Sequence, residues 1–225
     1  MQCDHHGCLH IVPLFQNLDA EQMGAIDAIT REGTYSNGQP IYHAGEASGS
    51  LMVVHTGKVK IYRLDSEGEQ QVMRILLPGE FAGELALFSK EPTQDYAEAI
   101  GECSLCMING EHMRGLMIKY PSIALKITQE LSMRLSQSDA TLHGVVKGSV
   151  EQRLAGYLFG LLKKSQTNHI QLPVAKGTVA SLLAMSQETL SRRLKILQDD
   201  GVIELGKGRK ITVLDTEALE DRILQ

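Results

Sequence analysis

At 225 residues the chain is long enough for two domains of ordinary size, and 43% hydrophobic with 22% charged residues is the make-up of a soluble globular protein. No apolar run approaches the roughly 18 residues that a membrane span needs, and the N-terminal MQCDHHGC lacks the charged start and apolar run of a signal peptide, so a cytoplasmic protein is expected. The net charge of −5 rules out a uniformly basic surface for nucleic acid, but it divides unevenly: from Lys147 onward there are 12 Lys+Arg against 9 Asp+Glu, +3, leaving 10 against 18, −8, before it. No phosphate-binding loop, dinucleotide fingerprint or recognisable triad is present, so the reading is not an enzyme.

In chain order, the first ten residues hold Cys3, His5, His6, Cys8 and His10. These are ligand types of soft and borderline metals, and the plain alternative is a frayed terminus with incidental residues. Asp19 is placed to cap a helix from Ala20 to Arg31, with Ile26 and Ile29 on its apolar side.

From Gly33 to about Met113 the pattern turns to β. Strands are expected at Thr34–Tyr35, Pro40–His43, Ser50–Val54, Lys58–Tyr62, Gln71–Leu76, Ala97–Ala99 and Ser104–Ile108. Several short strands punctuated by glycine predict a sandwich or barrel. Gly57 reads as one tight hairpin turn and Ser66-Glu67-Gly68 as another. Cys103 and Cys106 form a C-x2-C near the end of this region. Residues three apart on a strand face opposite sides, so the two are not both core in a regular strand, and one is expected in the turn at Gly101-Glu102.

One long helix is predicted from Pro121 to Val146, with Ile123, Ile127, Leu131, Leu135, Leu142 and Val145 as its apolar stripe. Such a stripe packs within its own chain or forms a dimer coiled coil, and its run beyond the β region favours the dimer. Ile127, Leu131, Leu135 and Leu142 are the expected dimerisation seam. Lys147-Gly148-Ser149 is a hinge, with Ser149 capping a helix from Val150 to Lys164 whose apolar face is Leu154, Tyr157, Leu158, Leu161 and Leu162.

The stretch from Val174 to Leu205 reads as a helix-turn-helix. Val179, Leu182 and Leu183 give the first helix an apolar stripe, and the turn falls at Ala184-Met185-Ser186. Ser186 caps a second helix from Gln187 to about Gln198, with Leu190, Leu194 and Leu197 inward. Gln187, Glu188, Thr189, Ser191, Arg192 and Lys195 are left for DNA. Arg forks onto guanine, Gln bridges adenine, and Glu accepts from cytosine. A hairpin follows, with Lys207 and Arg209 at its tip for phosphate, and Thr216 to Ile223 closes the chain as a helix. With so few placed cations, binding is expected to lean on dimer avidity.

The run Ser186-Gln187-Glu188-Thr189-Leu190-Ser191-Arg192, with Gly201-Val202-Ile203 after it, resembles the winged helix-turn-helix of the CRP/FNR superfamily of bacterial regulators. Glu188, Ser191 and Arg192 match base-reading positions of the FNR branch, whereas the CRP branch usually carries Arg at the position of Gln187 and Gly at that of Ser191. The resemblance implies an α+β protein: a cyclic-nucleotide-binding-like β-roll over residues 1–115, a dimerisation helix over 116–147, and a winged helix-turn-helix over 148–225. It also implies a homodimer on a palindromic TTGAT-type site in double-stranded DNA, with RNA polymerase as a further partner and no membrane. Arg153 matches a family position, and Ala184 departs from the usual Gly.

In cyclic-nucleotide-binding relatives, Gly-Glu-Leu and a following Arg clamp the ligand. Here Gly83-Glu84-Leu85 keeps the first half, but Gln94 and Asp95 stand at the Arg position and the next. A carboxylate beside a cyclic phosphate is unfavourable, so cyclic AMP is not expected to bind, and Gly83 and Glu84 are read as serving turn geometry. Cys106 aligns with the central cysteine of the FNR sensor, which with N-terminal cysteines holds an oxygen-labile iron–sulfur cluster. Only Cys3 and Cys8 precede it here, and Cys103 supplies a fourth thiol. Three readings stay open: a cluster on the four thiols, zinc with His5 or His6 replacing one of them, or a dithiol–disulfide switch. A small-molecule regulator of the CRP type and a constitutive regulator with no effector are the alternatives.

Overall fold

The computed structural model describes residues 12, 15 and 18–224, apart from 48, 90, 130, 134, 136–147 and 166. The chain divides into two compact units, Met1–Leu135 and Ser136–Gln225.

The N-terminal unit opens with helix α1 (Ala20–Asp27). Asp19 caps it as expected, its carboxylate accepting from Gln22 N at 2.8 Å while the Gln22 side chain accepts from Asp19 N. The helix is shorter than expected, because strand β1 (Thr30–Tyr35) already begins three residues beyond it. The other strands are β2 (Pro40–Tyr42), β3 (Ser50–Leu64), β4 (Gln70–Leu76), β5 (Phe81–Ala82) and β6 (Tyr96–Asn109), with a one-turn helix α2 (Leu85–Phe88) after β5. They form one antiparallel sheet in the order β1-β6-β3-β4, with β2 paired to β6 and β5 to β3.

Strands expected as separate pairs are continuous here. Ser50–Val54 and Lys58–Tyr62 belong to β3, and Ala97–Ala99 and Ser104–Ile108 belong to β6. Gly57 is a kink within β3 rather than a hairpin turn. The β3–β6 register shifts around it, its φ is +77°, and a Cβ there would lie 2.3 Å from Glu102 O. Gly101, at φ +75°, is a second left-handed residue inside β6. The β3–β4 turn at Ser66-Glu67-Gly68 does form: the Asp65 carboxylate accepts from Glu67 N and Glu69 N, and Gly68 takes φ +84°.

The unit has two cores, and β6 contributes to both. Ala97, Ala99, Cys103 and Leu105 pack with Val54, Val59, Ile61 and Leu76. Cys106 and Ile108 pack with Phe15, Ile26, Phe81 and Met113. The expectation that one cysteine leaves the core is therefore overturned. The two do face opposite sides of the strand, but both sides are covered.

Helix α3 (Gly110–Lys119) is not expected from the β pattern around it. Its signal is Asn109, whose side chain accepts from Glu111 N and His112 N at 3.0 Å. Helical backbone resumes over residues 121–129 and 131–133. Here the dimer seam needs correcting. Ile123 and Ile127 are fully buried in the core with α1 and α3, and Leu131 packs partly against it. A core that lies alongside the helix takes up this stripe before a partner can. Leu135, 64% exposed, is the first residue of the stripe outside that packing, and Leu142 lies outside the described residues.

The C-terminal unit follows the sequence closely. Ser149 caps helix α4 (Val150–Lys164) in a reciprocal capping box with Gln152. Strand β7 (His169–Gln171) joins β8 (Ile203–Leu205) and β9 (Lys210–Val213) in a three-stranded sheet of order β7-β9-β8. Helices α5 (Lys176–Leu182), α6 (Gln187–Asp199) and α7 (Thr216–Leu224) complete it. Glu151 on α4 pairs with Arg193 of α6 at 3.4 Å and with Arg222 of α7, and Arg222 also meets Asp200 at 2.6 Å. These ions tie three helices together around the apolar contacts. Among the described residues no helix is long and apolar enough to cross a membrane.

Candidate nucleic-acid interface

Helix α5 ends in a hydrogen-bonded reversal. Met185 N donates to Ala180 O and Ala184 N to Ser181 O, both at 3.0 Å, with Ala184 in the left-handed region at φ +51°. This is the glycine-type helix stop, here built with alanine. Ala184 is the one non-glycine residue with positive φ among those described, and such a conformation costs about 1–2 kcal/mol for an L-residue. The turn expected at Ala184-Met185-Ser186 is therefore formed, under strain. Ser186 Oγ then accepts from Thr189 N at 3.1 Å and starts α6.

On α6, Leu190, Leu194 and Leu197 are buried, as their spacing requires. Gln187, Glu188, Ser191, Arg192 and Lys195 are exposed on the other side. Glu188 and Arg192 form an i,i+4 ion pair that aligns both side chains, and Lys195 pairs with Asp199 at 2.8 Å. Thr189 is partly buried, and its hydroxyl lies 2.8 Å from Ser186 Oγ, so it belongs to the cap. Gln187 leans back on α5: its Oε1 lies 2.8 Å from where a Cβ on Gly177 would sit. In the wing Lys207 is exposed. Arg209 is half-buried and donates to Pro173 O at 2.8 Å, which holds the wing against the chain leading into α5. Arg193, which enters the reading of the sequence only through the charge total, is inside the ion network rather than on the reading face.

In the N-terminal unit Gly83 sits at φ +84°, and a Cβ there would lie 2.3 Å from Ser50 O, so the backbones meet where only glycine fits. Glu84 does more than shape a turn: it faces Arg74 at 3.4 Å, and Arg74 also donates to Phe81 O at 2.8 Å. Asp95 pairs with Arg63 at 2.6 Å. Tyr42 is pushed up to about 12 by burial, with the charges of Asp95 and Glu84 adding to the shift and Arg74 opposing it. The two carboxylates that act on Tyr42 are each met by a guanidinium, Asp95 by Arg63 and Glu84 by Arg74.

Of the proposed thiol ligands, Cys103 and Cys106 are not brought together. Cys103 and Cys106 are buried on opposite faces of β6, 4% and 0% exposed, and a single ion does not reach both through a covered sheet. Burial pushes the Cys103 thiol above its ordinary value, with a hydrogen bond involving the Lys58 backbone opposing the shift. No group of three His, Cys, Asp or Glu suited to a metal occurs among the described residues. Cys3, Cys8, His5 and His6 lie outside them. The described residues therefore do not fit an iron–sulfur cluster or zinc on all four thiols.

A winged helix-turn-helix joined to an antiparallel β domain defines a DNA-binding regulator. Comparison with known proteins gives the family. Residues 32–120 match the family model of the cyclic nucleotide-binding domain, and residues 152–222 match that of the Crp-like helix-turn-helix domain. The probable transcriptional regulator flp of Lacticaseibacillus casei is 31% identical over 216 residues, 96% of this chain and 98% of its own. The cyclic AMP receptor protein of Thermus thermophilus is 28% identical over 214 residues, 93% of this chain and 95% of its own. The structure of FixK2 from Bradyrhizobium japonicum shares the fold with a TM-score of 0.76 at 22% identity, covering 86% of this chain and 96% of that one. The chain belongs to the CRP/FNR family of transcriptional regulators. It is a regulator and not an enzyme, as its relatives are.

Proposed function

We propose that this chain acts as a homodimer on a palindromic TTGAT-type site, reading bases with Glu188, Ser191 and Arg192. The observation that carries the reading is the exposed row on α6, with Arg192 aligned by Glu188 and no packing role for either. Two such helices about 34 Å apart meet successive major grooves. Leu135, exposed where its stripe leaves the core, supports self-association beyond that core. Arg192→Ala should cost about 1–3 kcal/mol on the TTGAT-type duplex and relax preference at one base pair. Equal weakening on every duplex would make Arg192 a phosphate contact and overturn the assignment.

The effector is an oxygen, redox or metal signal received by Cys106 together with Cys3 and Cys8. Its support is that Val12 and Phe15, a few residues after Cys8 in the sequence, are fully buried in the same core as Cys106. Cyclic AMP is not the effector, since Gln94 and Asp95 stand where cyclic-nucleotide-binding relatives carry the clamping Arg and the residue after it, and calorimetry with cyclic AMP should give no heat. The state of the sensor biases the hinge at Gly148 and so the spacing of the two reading helices. Elemental analysis of protein purified without oxygen tests the metal reading. Iron with sulfide, or zinc, would have to be held largely by the arm, and a metal-free protein whose DNA affinity follows the thiol state would leave a thiol switch.

A further inference from the structure

Arg153 lies one turn into α4, and its guanidinium spans two separate pieces of backbone. Nη1 donates to Gly148 O at 3.3 Å, on the hinge before α4, and Nη2 donates to Ala184 O at 3.2 Å, on the strained turn before α6. Its Nε is buried with no partner among the described residues. A fork that leaves its own Nε unsatisfied while holding two carbonyls is set by position rather than by local comfort. The carbonyl at Ala184 matters because that residue is held left-handed against its preference, and the cap that starts α6 follows two residues later.

We propose that Arg153 is a positioning residue that ties the hinge backbone at Gly148 to the α5–α6 turn and so fixes the DNA-reading helix in its productive orientation. A change in the hinge that moves the Gly148 carbonyl shifts the same guanidinium that braces the turn. This rests on α6 reading DNA; Arg192→Ala tests that reading alone, so the two fail separately.

The experiment is a set of full-length variants, Arg153→Ala, Arg153→Lys, Ala184→Gly, and each Arg153 variant combined with Ala184→Gly. Binding to a TTGAT-type duplex and to a scrambled duplex is measured by fluorescence anisotropy, over a range of salt, below the melting transition of every variant. Loss of the fork should lower specific affinity about tenfold, leaving scrambled-duplex affinity and the salt slope unchanged. Lysine, a single point donor, should fare little better than alanine. Ala184→Gly, which adopts the left-handed turn without bracing, should restore most of the lost specific affinity while changing little in the parent. A parallel loss on both duplexes, full function with lysine, or no rescue by glycine would each overturn the proposal. If Arg153→Ala does not fold, the lysine variant carries the same test.

Discussion

In the C-terminal unit, Glu188 and Arg192 have side chains about three-quarters exposed, on the side of α6 away from Leu190, Leu194 and Leu197. In the N-terminal unit, Cys103 and Cys106 are buried in two different cores on the two faces of one strand. An amphipathic helix sorts packing from recognition by its 3.6-residue period, so one face is free for a partner. A strand covered on both sides has no free face. Chemistry placed there reaches the outside only through another segment; Val12 and Phe15 are buried in the same core as Cys106.

The same contrast divides the apolar stripe that begins at Ile123, and this is where the largest effect is expected. Ile127 is fully buried in a core of the N-terminal unit, so Ile127→Ala should destabilise that unit by about 3 kcal/mol. Leu135→Asp should leave that unit's melting unchanged and weaken self-association. Thermal melts paired with sedimentation separate the two. If Ile127→Ala dissociated a dimer without lowering the melting temperature, the stripe would be an interface along its length, and the division drawn at Leu131 would be wrong.

Gly57 gives the next effect and shows why the N-terminal unit is harder to read. Alanine at this position would be left-handed and would set its Cβ 2.3 Å from Glu102 O. Gly57→Ala should therefore cost at least about 2 kcal/mol, seen as a lower denaturant midpoint for the N-terminal unit. If Gly57 were a free hairpin turn, the cost would be a fraction of this. A glycine between two apolar runs carries the same local signal for a turn and for a bulge, and only the partner strand decides. This is why β3 and β6 each read as two strands in the sequence. In the C-terminal unit the local signals coincide with the fold. Ser149 and Ser186 cap the helices that follow them, three leucines mark the inner face of α6, and glycines close the wing. Even so, pattern does not reveal that Arg209 and Thr189 are held by the fold, or that Arg153 bridges two carbonyls. Such contacts have no periodic signature.

The smallest expected effect compares one tyrosine from each unit. Tyr42 and Tyr157 are both pushed from 10.0 to about 12, chiefly by burial, with charges contributing only at Tyr42. A folded-state value above the unfolded one means stability that is complete below pH 10 and is lost as pH rises from there to about 12. Tyr42→Phe and Tyr157→Phe should each flatten that alkaline loss and remove one late-ionising group from the phenolate absorbance titration. The Tyr157 hydroxyl is buried with no partner among the described residues, so removing it should be neutral or stabilising by up to about 1 kcal/mol. A measurable loss of stability on Tyr157→Phe at neutral pH would mean that the hydroxyl has a partner, and the burial of the α4 face would then be polar as well as apolar.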